Sequence, residues 1–363
     1  MARIGIAIPS YLGASFIGRT LQSIVGQTYE DWLCVVVNDG EEDGTAEIVA
    51  QFDDSRVRYV CDGKRRGQFA NFNRAILEVL KSDAEIIRLL CADDVLYPYN
   101  LEDVVRVFAA HPGVGLVASH YDGIDEYDRL TFRVNMEGRD DLVMTGWDYL
   151  LKGVSVGNTI GGPSSVALRR EAIETAGLFD TRVNHSGESD LWHRVASDWD
   201  VAWIGRRAGL KYRFHESSIT GRGKYSVAKF TDPVRLVRRV AATESLFGLR
   251  WWAHQYTIGR LHSINLQLLL AMARKGHWSG VRAGLSGAMR DGLIVYSPFW
   301  LPRVPWQVLR LAFGLDPSRR LFWRKTHESL QPPRTSVKST GEAGKLEVPA
   351  AVASEAKAEV GKR

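Results

Sequence analysis

The chain has 363 residues, more than one average domain, and its 45% hydrophobic and 25% charged residues are ordinary for a globular protein with a sizeable core. No run of 18 or more apolar residues occurs, so no membrane-spanning helix is expected, and Pro9-Ser10 breaks the apolar start Ile4–Ile8 too early for a signal peptide. The net charge of +5 is modest, yet Trp203–Arg260 holds twelve Lys/Arg against Glu216, Asp232 and Glu244, which favours an anionic partner there. Cys34, Cys61 and Cys91 lack metal-ligand spacing and read as reduced core residues of a cytoplasmic chain.

Taken in order, the elements alternate. Arg3–Ile8 reads as a strand, and Ser15 caps a helix with Ile17, Leu21, Ile24 and Val25 on one apolar face. Trp32–Val37 is a second strand ending at Asn38-Asp39-Gly40, Thr45–Phe52 a helix, Val57–Cys61 a short strand, Gln68–Leu80 a helix and Ala84–Leu90 a strand. This βαβαβ pattern predicts an α/β nucleotide-binding unit, a mostly parallel sheet with helices on both faces. Leu101–Ala110 follows as a helix, Gly115–His120 as a strand, and Asp122–Arg139 as a polar hairpin. Gly153–Pro163 is a glycine-rich loop, Ser164–Leu168 a strand, Glu171–Ala176 a short helix stopped by Gly177, Glu188–Ala196 a helix and Val201–Ile204 a strand. Beyond Pro233 the chain turns helical and rich in Trp and Leu, and from Arg324 the composition predicts a disordered tail. The expected organisation is an α/β domain at 1–232, a helical region at 233–323 and a tail at 324–363.

The most informative stretch is Ile86–Pro98, where an apolar run ends in Asp93-Asp94. In open α/β sheets, ligands bind at the carboxyl ends of the strands. Two carboxylates beside a phosphorylated ligand make sense only with a divalent cation between them, Mg2+ or Mn2+. A competing reading makes Asn100 the N-cap of the next helix, with Glu102 and Asp103 in its first turn. That explains the chain from Asn100 onward and leaves Asp93-Asp94 unexplained. Pro9-Ser10-Tyr11 and Asn38-Asp39-Gly40 end the first two strands at the same edge. Tyr11 can stack on a base, and Asp39 can accept the ring N–H of uracil or thymine, or the donors of guanine.

Together these segments resemble the family 2 glycosyltransferases, nucleotide-sugar enzymes of the GT-A fold. The resemblance covers about Ile4–Thr220. It is carried by Ile8-Pro9-Ser10-Tyr11, Val36–Gly40 with Asp43-Gly44-Thr45, Gly67–Asn73, Ala92-Asp93-Asp94 with Pro98, Gly161-Gly162-Pro163, Gly177–Asp180, Glu188–Arg194 and Tyr212–His215. It implies that Asp39 holds the base, Asp93 the ribose or sugar, Asp94 the metal, and Arg66-Gly67 the diphosphate region. Asn73 becomes a candidate donor contact and His215 a candidate neighbour of the metal. Cys91 departs from the pattern, since the family often has a further Asp there. Thiolate suits Mg2+ or Mn2+ poorly, so the expectation is one protein ligand completed by phosphate and water.

The implied reaction moves a sugar from a nucleoside diphosphate sugar (UDP-, dTDP- or GDP-linked) to a hydroxyl of a glycan, lipid-linked or small-molecule acceptor, with inversion. Aligning Asp190-Leu191-Trp192 with the family places Glu188 at the catalytic base. Asp190, the second candidate, points about 200° away on a helix. Trp192 and Arg194 read as packing and salt-bridge residues. A nucleotidyltransferase is disfavoured, because Pro9–Ala14 has one glycine and no cation where that class relies on a basic glycine-rich loop. A nonenzymatic nucleotide-sugar binder would keep Asp39 without needing both Asp94 and Glu188. No nucleic acid is expected as a partner. The basic Trp203–Arg260 stretch and the helices after it could touch a membrane surface peripherally, although helices packed on the catalytic domain with a solvated basic face is the favoured reading.

Overall fold

The computed structural model describes residues 3–40, 43–136, 138–150, 158–183 and 187–215, with residues 273, 276, 278, 281 and 282. The expected tail, most of the basic stretch and, but for those five residues, the expected helical region lie outside them. All belong to the larger of two compact units, Met1–Pro332.

Strand β1 (Ile4–Ser10), helix α1 (Ala14–Val25), β2 (Trp32–Asn38), α2 (Thr45–Ala50), β3 (Val57–Val60), α3 (Gln68–Leu80) and β4 (Ile86–Leu89) follow the expected alternation. Next come β5 (Val95–Leu96), α4 (Asn100–Ala110), β6 (Val114–Ser119), β7 (Tyr121–Ile124), β8 (Leu130–Phe132) and β9 (Leu142–Met144). The described part closes with β10 (Val166–Arg169), α5 (Arg170–Ala176), α6 (Gly187–Ala196), β11 (Asp200–Ile204) and β12 (Leu210–Arg213).

Eight strands form one sheet in the order β3-β2-β1-β4-β10-β6-β11-β9, and four form a second in the order β5-β12-β7-β8. The large sheet is mixed rather than mostly parallel. The β3-β2-β1-β4 half is parallel, but β10 runs antiparallel between β4 and β6, and β9 antiparallel along β11. One apolar layer joins Phe69, Phe72 and Val79 of α3 to Ile173 of α5 and Leu191, Trp192 and Val195 of α6. The other joins Ile17, Leu21 and Ile24 of α1 to Leu101, Val104 and Phe108 of α4. With both faces covered, the central strands are apolar throughout rather than alternating.

Two helix starts differ from expectation. Helix α1 is preceded by Gly13 with no side-chain cap, and Ser15 is its exposed second residue. A Cβ on Gly13 would lie 2.3 Å from Ser10 Oγ, so the turn out of β1 is too tight for a larger residue. Val25 is 42% exposed and stands outside the apolar face. Asn100 is not the cap of α4 but its first residue. Its fully buried amide accepts Arg88 Nε at 3.0 Å and donates to Ser119 Oγ at 3.2 Å.

Candidate active site

At the carboxyl edge, Ser10 pairs in register with Asn38, and Asp39 N donates to Ser10 O at 2.8 Å, so Tyr11 and Asp39 leave the sheet side by side. Asn71 of α3 fastens this edge by donating to Val37 O at 2.9 Å and Ser10 O at 3.2 Å. The Asp39 carboxylate is 97% shielded from solvent and accepts the main-chain N–H groups of Arg66 (2.6 Å) and Gly67 (2.8 Å). Gly67 has φ +91°, a conformation open to glycine and strained for other residues. Thus Arg66 meets Asp39 through its backbone, while its guanidinium pairs with Asp62 at 2.5 Å. Pro9 lies in β1 behind this edge. The Arg65 guanidinium stacks on the Tyr11 ring at 4.3 Å. Asn73 is engaged elsewhere: its amide donates to Phe179 O and accepts Phe179 N, both at 2.8 Å. It clasps the Gly177–Asp180 segment, whose Phe179 ring packs against Phe69, Phe72 and Trp192.

The turn after β4 is held from three sides. Thr20 of α1 donates to Ala92 O at 2.8 Å and Asp94 O at 2.9 Å, and Cys91 N donates to Ser164 Oγ at 2.9 Å. From β12, Arg213 N donates to Asp94 Oδ1 at 2.8 Å and Arg213 Nε to Asp93 O at 2.7 Å. Two residues on, His215 Nε2 lies 2.9 Å from Asp93 Oδ2, its ring against Phe16. His215 therefore reaches the acidic pair through Asp93. Beneath the turn, Arg88 is fully buried in mid-strand and donates to the main-chain oxygens of Ser164 (2.6 Å), Val166 (3.0 Å) and Leu89. Burial pushes its pKa down to about 9.

Ligand atoms of Cys91, Asp93 and Asp94 all lie within 4.8 Å of one another. Asp94 Oδ2 is buried with no hydrogen-bond partner. Burial, and then the like charge of Asp93, hold the Asp94 carboxyl well above the usual carboxylate range. An orphaned carboxylate oxygen facing a second carboxylate fits a divalent cation, which supplies the missing charge and the missing partner. Cys91 is kept a neutral thiol, chiefly by burial and then by the two carboxylates, a poor donor to a hard ion. Asp93 and Asp94 are thus the oxygen ligands on offer.

Helix α6 starts against α3. Gly187 is buried, and a Cβ there would come within 2.5 Å of the Phe69 ring. The space a side chain at this position would need is filled by the phenylalanine of the neighbouring helix. Glu188 follows, partly exposed in the first turn of α6, and Asp190 is 3% exposed and pairs with Arg194 at 3.0 Å. Arg194 also donates to Ala176 O and Leu178 O, and Trp192 is fully buried, donating to Gly161 O at 3.3 Å. Both are packing and pairing residues, as expected. The supporting roles of Thr20, Arg88, Ser164 and Arg213 were not read from the sequence. A cation amid an apolar strand was the one available signal, at Arg88.

An eight-stranded α/β sheet whose carboxyl edge gathers Tyr11, Asp39 and Asp93-Asp94 defines a GT-A type nucleotide-binding domain. Residues 5–177 match Glycosyl transferase family 2, and the chain carries a domain of that family. It is similar to the Escherichia coli UDP-Glc:alpha-D-GlcNAc-diphosphoundecaprenol beta-1,3-glucosyltransferase WfgD, with 28% identity over 60% of this chain and 79% of that one. Its fold is similar to S. aureus TarS 1-349 in complex with UDP-GlcNAc (TM-score 0.55, 14% identity, 80% of this chain and 92% of that one). The mannosyltransferase PcManGT from Pyrobaculum calidifontis in complex with GDP-Man and Mn2+ is comparable (TM-score 0.53, 17% identity, 90% and 83%). The chain spans 52% and 65% of the length of two further curated relatives, both called uncharacterized glycosyltransferases.

Proposed function

We propose that this protein transfers a sugar from a nucleoside diphosphate sugar to an acceptor hydroxyl, with inversion at the anomeric carbon. The observation that carries the reading is the buried, unpartnered Asp94 Oδ2 beside Asp93, at the same sheet edge as Asp39. Asp39 can accept from a base, and the Arg65 guanidinium, stacked on Tyr11, can donate to it. Uracil, thymine and guanine each present a ring N–H beside a carbonyl oxygen and match such a pair, so a UDP-, dTDP- or GDP-sugar is the donor class. A Mn2+ or Mg2+ ion would be held by Asp94 and Asp93 and would offset charge developing on the departing diphosphate.

The chain's own residues do the rest. Asp93, steadied by His215, accepts hydrogen bonds from the ribose or sugar. Gly67 and its neighbours, fixed by Asp39, line the diphosphate region. Glu188 takes the proton of the attacking hydroxyl, a role open to its partly exposed carboxylate in the first turn of α6 and less open to Asp190, which is buried and paired with Arg194. A lipid-linked diphosphate acceptor, of the kind named for WfgD, is consistent with the basic character of the chain after Trp203. No helix among the described residues is long and apolar enough to cross a membrane.

The test is nucleotide-induced thermal stabilisation. UDP or GDP should raise the Tm of the wild-type protein in Mn2+ or Mg2+, the shift should vanish in EDTA, and Asp94→Ala should abolish it with metal present. A full shift in EDTA would sink the metal-bridged site.

A further inference from the structure

Arg213 is an unusual neighbour for a cation site. Its guanidinium is completely buried and sits against the acidic pair, yet Asp94 Oδ2 has no partner. Its contacts show why. Nε is spent on Asp93 O at 2.7 Å and Nη1 on Asp125 O at 2.8 Å; Nη2 makes no hydrogen bond and is held by charge alone, 2.5 Å from Asp128 Oδ1, and the whole group stacks on Phe16. A buried guanidinium needs a compensating anion. Asp128 supplies it from the turn between β7 and β8, held on its other oxygen by Arg19 of α1 at 2.8 Å. Asp128 does so with φ +65°, a left-handed turn conformation that Asp and Asn tolerate better than other non-glycine residues.

We infer that Asp128 draws the Arg213 guanidinium away from Asp93 and Asp94, and so keeps Asp94 available to a divalent cation. This rests on the metal site proposed above. Without the Asp128 charge, the buried guanidinium has Asp94, with which it already interacts electrostatically, as its remaining carboxylate partner. Arginine binds carboxylates through two parallel hydrogen bonds and would compete with the ion for the same oxygens. Asp128 acts through Arg213 and is a positioning residue.

The experiment is Mn2+ binding to the full chain, followed by electron paramagnetic resonance of free Mn2+ with no nucleotide present. Asp128→Asn preserves size and suits the positive φ, so the variant should fold. It should bind Mn2+ about 10–100-fold more weakly than wild type, the range seen when partners of metal ligands are removed. Arg19→Ala, which removes the other contact of Asp128, should change affinity by less than about twofold. The Asp128→Asn defect should persist in about 0.5 M KCl, because through-space loss of one negative charge is screened there and a rearranged guanidinium is not. Equal Mn2+ affinity of Asp128→Asn and wild type, or a defect that disappears in salt, overturns the inference alone. A wild-type protein that binds no Mn2+ overturns the metal reading and the inference with it.

Discussion

The two sheets meet at one acidic turn and contribute to it by different physics. The large sheet delivers its functional groups by topology: β1, β2 and β4 are parallel neighbours, so Tyr11, Asp39 and Asp93-Asp94 leave at a common edge whatever surrounds them. The small sheet delivers by specific side-chain contacts, with Arg213 and His215 gripping the turn from outside and Asp128 holding Arg213. Changes at the reactive edge should therefore alter chemistry more than stability. Changes in the small sheet should loosen the turn and alter both.

The largest expected effect tests the first half of that contrast. Glu188→Gln should cost about 10²–10⁴ in transfer rate, the usual contribution of a general base, with donor binding and Tm close to wild type. Asp190→Asn should show the opposite profile, because its carboxylate is buried and paired with Arg194: a clear loss of stability and a milder loss of rate. The reverse order in steady-state kinetics would move the base to Asp190.

A second test asks how much pH alone can disturb the layer behind the large sheet. His193 on α6 is buried against Tyr149, neither ring nitrogen has a hydrogen-bond partner, and burial pushes its pKa down to about 4. The unfolded chain takes up this proton near pH 6.5, whereas the folded chain refuses it until about pH 4. The contribution is therefore intact above pH 6.5 and lost as pH falls, amounting to about 2 kcal/mol by pH 5 and about 3 kcal/mol near pH 4. In denaturant titrations at pH 7 and pH 5, His193→Phe should lose correspondingly less stability than wild type. Identical losses in the two proteins would show that His193 is solvated.

The smallest effect belongs to the small sheet. A Cβ on Gly123 would fall 2.3 Å from the Phe132 ring. Gly123→Ala should cost about 1–3 kcal/mol by overpacking. It should also weaken Mn2+ binding, since the β7–β8 turn carries Asp125 and Asp128. Destabilisation with unchanged Mn2+ affinity would mean that the two sheets are not coupled at the acidic turn.

Local pattern was enough to read the first half of the fold. Apolar runs of strand length, helix-period faces and turn residues lie within a few residues of one another along Ile4–Leu89, and α3 falls at Gln68–Leu80 as its periodicity predicts. The acidic edge was legible for the same reason, because a strand end followed by carboxylates is a contiguous signal. Three elements left no such signal. Strands β5, β9 and β12 have two to four residues, too few for a period, and are strands only because a partner stands beside them. The antiparallel insertion of β10 was equally invisible, since a sequence of strand length carries no mark of its direction.

The sequence by itself determined which residue types reach the sheet edge, because strand alternation and chain order are local properties. Only the tertiary structure decided what each one does there. Asn73, a candidate donor contact by its motif, spends its amide on the Phe179 peptide, and Gly187, which opens α6, is held to glycine by the ring of a phenylalanine 118 residues earlier in the chain. Arg213, one residue among many in a basic stretch, becomes the buried cation whose diversion to Asp128 leaves Asp94 open. The energy of a charge depends on its burial and its partners, and neither is encoded at its own position in the chain.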